Sequence, residues 1–123
     1  MTEKILCVDD EPDILAGYQR LLRKRFTLEV AVGALEGLAA IAERGPYAVV
    51  VSDMLMPGMD GVRFLSRVRE VAPATVRILL TGNAAPSGVG EGDLFQVLAK
   101  PCPPETLARV LAAAVERYCR RTS

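Results

Sequence analysis

Residues 48–53 read Ala48-Val49-Val50-Val51-Ser52-Asp53. Four apolar side chains in unbroken succession, three of them β-branched, describe a strand covered on both faces, because a half-exposed strand would alternate. The strand delivers Ser52 and Asp53 to its C-terminal end, and Met56-Pro57-Gly58-Met59-Asp60-Gly61 follows as a turn. Upstream, Ile5-Leu6-Cys7-Val8 is a second short apolar run and ends in Asp9-Asp10-Glu11. Downstream, Arg77-Ile78-Leu79-Leu80 ends at Thr81-Gly82, and Leu94 to Ala99 ends at Lys100-Pro101. Thr27 to Val32 is rich in β-formers and completes a set of five strands.

Helical periodicity fills the intervals. Ile14, Tyr18, Leu21 and Leu22 mark a first helix, with Asp10 or Glu11 placed to cap it and Pro12 tolerated in its first turn. Leu35, Leu38, Ile41 and Ala42 mark a second, stopped by Gly45-Pro46, and Val62, Leu65, Val68 and Val71 a third. Leu107, Val110, Leu111, Ala114, Val115 and Tyr118 mark a long C-terminal helix. Strands alternating with helices predict an α/β fold with a doubly wound parallel sheet. Between the fourth and fifth strands, Asn83 to Gly92 holds three glycines and a proline without an apolar repeat. A helix there is expected to be short, disordered or absent, since glycine costs about 1 kcal/mol and proline about 3 in a helix interior.

In open α/β sheets, sites form outside the C-terminal ends of the strands. Asp9-Asp10, Asp53, Thr81 and Lys100 occupy four of the five ends. Each has an ordinary reading alone: a helix N-terminus, a strand end, or a turn. Their coincidence at one sheet edge is the stronger signal. Clustered carboxylates repel unless a cation joins them, and a hard ion such as Mg2+ suits oxygen ligands. Acids, a lysine and a hydroxyl together fit phosphoryl chemistry, with a carboxylate as acceptor.

Composition limits the alternatives. The 123 residues predict one domain, and their 15 basic and 15 acidic side chains give no net charge, which argues against nucleic-acid binding. Residues 1–61 carry a net −4 and residues 62–123 a net +4. With no histidine, the chain holds no triad, no His-containing zinc site and no phosphohistidine of its own. Three cysteines without metal-finger spacing, no basic leader and no long apolar run predict a soluble cytoplasmic protein without membrane contact.

The motifs ILCVDDEPDIL, VVVSDMLMPGMDG, ILLTGNA and VLAKPCPPE, in this order, resemble the receiver domains of two-component response regulators. The resemblance covers essentially the whole chain. It implies a flavodoxin-like (β/α)5 fold and a single receiver domain over residues 1–123; after the long C-terminal helix only the short polar tail Arg120-Arg121-Thr122-Ser123 remains, so no output domain is expected in this chain. It implies that Asp53 accepts a phosphoryl group from a phosphohistidine on a sensor histidine kinase or phosphotransfer protein. Asp9, Asp10, Asp53 and the backbone carbonyl of Leu55 would hold Mg2+. Lys100 would pair with the phosphate, its bond to Pro101 would be cis, and Thr81 would move to hydrogen-bond the phosphate as the switch. A second copy or a downstream effector protein would read that switch.

Three features depart from the family pattern. Val97 stands three before Lys100, where the family often has an aromatic; Phe95 lies two residues earlier. The Thr81-to-Lys100 interval of 19 is short. Apolar Leu55, two after Asp53, implies slow loss of the phosphoryl group. Other readings remain. A haloacid-dehalogenase-like phosphatase would want an acid at Leu55, and a flavodoxin-like cofactor binder would not place Asp9-Asp10-Glu11 in its phosphate loop. A phosphorylation-independent interaction module needs only the fold.

Overall fold

The computed structural model describes residues 3–82 and 96–122. Strands β1 (Lys4–Asp9), β2 (Thr27–Val32), β3 (Val49–Asp53), β4 (Val76–Thr81) and β5 (Gln96–Ala99) form one sheet in the order β2-β1-β3-β4-β5. Every pairing is parallel. Helices α1 (Pro12–Leu22), α2 (Gly33–Arg44), α3 (Gly61–Val71) and α4 (Pro104–Thr122) cover it. All five residues of β3 and all six of β4 are buried, as unbroken apolar runs require. The Asn83–Gly92 segment and Phe95 lie outside the described residues.

Alternation along the strands divides the core between two faces. Ile5, Cys7, Val49, Val51, Ile78 and Leu80 pack under α1 and α4, with Leu15, Leu22, Leu107 and Leu111. Leu6, Val8, Val50 and Leu79 pack under α2 and α3, with Phe64, Leu65 and Val68. Asp9 and Asp53 share the register parity of Cys7 and Val51, which places both with the α1–α4 face of the sheet. Val97 is half-buried against the opposite cluster.

The helix faces are rotated from the pattern of large apolar residues. On α2 the buried positions are Ala34, Gly37 and Ala40, while Leu35 is 80% exposed. A Cβ on Gly37 would stand 2.8 Å from the Phe64 ring, so α2 and α3 meet through small side chains. On α1, Leu15 and Leu22 are buried and Leu21 faces outward. On α3, Phe64 joins Leu65 and Val68 inside, and Val71 lies outside. The C-terminal helix keeps its expected face, burying Leu107, Leu111 and Ala114 together with Ala108.

Candidate functional site

Parallel pairing brings the strand ends to one edge. Asp9 ends β1, and Asp53 ends β3 opposite Leu80. Thr81 ends β4, one residue beyond, and its carbonyl accepts the Lys100 N–H at 2.9 Å. Between β3 and α3 the chain doubles back tightly. Gly61 N–H donates to the Met54 carbonyl at 2.8 Å, and a Cβ at Gly61 would meet the Asp53 carbonyl oxygen at 2.3 Å. Glycine at 61 therefore lets the turn close against the end of β3. Asp60 then caps α3 by accepting the Arg63 N–H at 2.9 Å.

Asp9, Asp10 and Asp53 each place one carboxylate oxygen within 4.8 Å of the others. Asp9 is 2% and Asp53 7% exposed, and Asp10 is half-buried. Lys100 extends over the group, its Nζ donating to Asp53 Oδ1 at 2.8 Å and standing 3.9 Å from Asp9 Oδ2. The Lys100–Pro101 bond is cis. Thr81 is buried at the neighbouring strand end. Leu55 is on the turn after β3 with its side chain 71% exposed.

The cap of α1 differs from expectation. Glu11 is the N-cap residue and makes no side-chain cap bond; Asp9 Oδ1 instead accepts the Glu11 N–H at 3.0 Å. One oxygen of Asp9 thus fixes the turn into α1. The other, Oδ2, is buried and accepts no hydrogen bond. Burial pushes the Asp9 carboxyl up to about 6, and the Asp53 charge adds to the push. Burial alone would lower Lys100, but the hydrogen bond and charge of Asp53, with Asp9 and Glu11, outweigh it and hold the ammonium above its usual range. One ammonium faces three carboxylates. The orphaned Asp9 oxygen and the short spacing among the acids fit a hard divalent cation, which would supply the missing positive charge.

The sequence reading missed two contributors. Gly61 governs how the turn closes on β3, and Asp9 Oδ1 orients the entry to α1. An Asp-Gly pair directly before a helical repeat was the available signal for the first. Nothing in the sequence distinguished the separate tasks of the two Asp9 oxygens.

The model of the response regulator receiver domain matches residues 5–112. The chain belongs to the response regulator receiver family. This receiver domain is 34% identical over 116 residues to the hydrogenase transcriptional regulatory protein HoxA of Cupriavidus necator, covering 91% of this chain and 24% of HoxA. It thus spans about a quarter of the length of that relative. Among solved structures, an adenylate cyclase from Rhodopirellula baltica superposes with a TM-score of 0.93 at 33% identity, over 99% of this chain and 93% of the other. The signal receiver domain of an HD domain-containing protein from Pseudomonas fluorescens gives 0.89 at 33% identity, over 98% and 99%. As a receiver, the chain is a signalling phosphoacceptor domain of the two-component type. Among the described residues, no helix is long and apolar enough to cross a membrane.

Proposed function

We propose that Asp53 is the phosphoacceptor, that Asp9, Asp10, Asp53 and the Leu55 carbonyl hold Mg2+, and that Lys100 and Thr81 receive the phosphoryl group. The observation that carries this reading is the imbalance at the sheet edge: a buried carboxylate oxygen without a hydrogen-bond partner, beside an Asp53 already held by a lysine. Mg2+, when bound, neutralises charge on the carboxylates and the incoming phosphoryl oxygens.

The transfer is an exchange of bonds at phosphorus. An Asp53 oxygen attacks, a phosphorus–oxygen bond forms, and the phosphorus–nitrogen bond of a phosphohistidine breaks, with the imidazole taking up a proton as it leaves. The donor histidine belongs to a partner, because this chain has none. That partner is a sensor histidine kinase or phosphotransfer protein, and the reaction takes place in the cytoplasm. Lys100 meets the added negative charge, since its ammonium is already 2.8 Å from Asp53. Residues 1–123 act as one receiver unit, whose phosphorylated form is read by a second copy or by a downstream effector. The chain catalyses at most its own phosphorylation and dephosphorylation.

Intact-mass spectrometry after incubation with acetyl phosphate tests the reading. One phosphoryl group is expected with Mg2+ and none in a chelator. Equal incorporation under both conditions, or none under either, overturns the proposal.

A further inference from the structure

A cleft among the described residues lies away from the phosphoacceptor edge. It measures about 470 Å³ and is lined by Glu3, Arg23, Lys24, Arg25, Phe26 and Thr27, together with Ala112 and Val115 of α4. Glu3 immediately precedes β1 and Thr27 opens β2, whereas Asp9 closes β1. The cleft and the acids therefore stand at opposite ends of the same strand, roughly 20 Å apart.

Three properties meet in this cleft. The basic triplet is presented by an ordered turn, in which Arg25 and Phe26 N–H both donate to the Leu22 carbonyl at 3.0 Å. Arg25 is partly engaged by Glu105 at 3.3 Å, but among the described residues no carboxylate pairs with Arg23 or Lys24. Phe26, Ala112 and Val115 give the lining an apolar part. Glu3 also belongs to the lining, and its Oε1 is buried without a hydrogen-bond partner.

A simple anion would satisfy the bases and leave the remainder empty. The volume is within the range of small-molecule sites, where apolar walls hold a ligand body and a few polar groups orient it. A fitting ligand combines negative charge, a flat apolar body and an N–H donor for Glu3. We propose that this cleft binds a nucleoside phosphate: phosphates on Arg23 and Lys24, the base against Phe26 and Val115, and a base amino group donating to Glu3. The site owes nothing to the phosphoacceptor reading.

Titration of the full chain in Mg2+-free buffer with chelator, followed through backbone amide resonances, tests this. With ADP, the signals of Phe26, Thr27, Ala112 and Val115 shift and saturate at sub-millimolar concentration. Inorganic pyrophosphate and adenosine, each carrying half of the recognition, bind about tenfold more weakly. Lys24→Glu, an exposed change, weakens ADP about tenfold while the remaining spectrum is retained. Glu3→Gln weakens ADP without altering pyrophosphate. Pyrophosphate binding as tightly as ADP reduces the site to a basic patch and overturns the proposal. So does an absence of saturation, or shifts centred on Asp9 and Asp53.

Discussion

The two ends of the sheet use the same kinds of side chain to opposite effect. At the N-terminal end, Glu29 accepts the Tyr47 hydroxyl at 2.5 Å and Arg44 Nε at 3.2 Å, and Lys4 Nζ stands 3.7 Å away. Lys4 also lies over the Tyr47 ring, 4.7 Å from its centroid, and donates to the Arg44 carbonyl. The Tyr47 hydrogen bond holds the Glu29 carboxyl below its usual range; burial works against this, and Arg44 and Lys4 reinforce it. At the C-terminal end, acids outnumber the lysine and Asp9 is raised instead. In the N-terminal cluster the Glu29 carboxylate is satisfied by the fold. At the other end one lysine faces three carboxylates, an imbalance that the proposed cation would offset.

The contrast breaks most sharply at Asp53. Asp53→Asn is expected to abolish phosphoryl incorporation from acetyl phosphate while circular dichroism shows an intact fold. Full incorporation in that variant would place the acceptor elsewhere. The next effect is steric. Gly61→Ala puts a Cβ where the Asp53 carbonyl now sits, and about 1–3 kcal/mol of stability is expected to be lost, with slower phosphorylation. Urea unfolding and the rate of mass gain measure the two consequences.

Smaller effects separate the ends directly. In metal-free protein, Asp9→Asn relieves a buried, partly unsatisfied charge, so its stability is unchanged or about 1 kcal/mol higher, whereas Mg2+ no longer raises its melting temperature. Tyr47→Phe removes a hydrogen bond to a carboxylate and is expected to cost about 1 kcal/mol, with phosphorylation unaffected. Equal losses from Asp9→Asn and Tyr47→Phe would remove the distinction.

The smallest effect is on pH dependence. Glu29 has a folded pKa below its unfolded value, so its contribution is complete above the ordinary Glu range, about 4.3, and is lost as pH falls through the lower folded value. Glu29→Gln should flatten that acid limb of the stability curve in urea titrations. An unchanged limb would mean that the N-terminal cluster contributes nothing.

Much of this was legible in the sequence because buried parallel strands write themselves as apolar runs. β3 and β4 leave little choice of register, and their ends carry Asp53 and Thr81 to one edge. What periodicity could not show is how close the layers approach. Leu35 fits a helical repeat yet is exposed, because α2 packs through Ala34, Gly37 and Ala40 against Phe64. Side-chain division of labour was also hidden. Asp9 reads as one acid of a pair, but one oxygen closes a turn and the other stays buried without a hydrogen bond.

Protease mapping after treatment with acetyl phosphate and Mg2+ tests the central claim most directly. Cleavage after Arg44 and Arg63 isolates residues 45–63, which contain Asp53 and Asp60, whereas Asp9 and Asp10 fall on residues 5–20. The account predicts one phosphoryl group on the 45–63 peptide, with fragment ions assigning it to Asp53. A phosphoryl group on Asp60, on the 5–20 peptide, or on neither would contradict it.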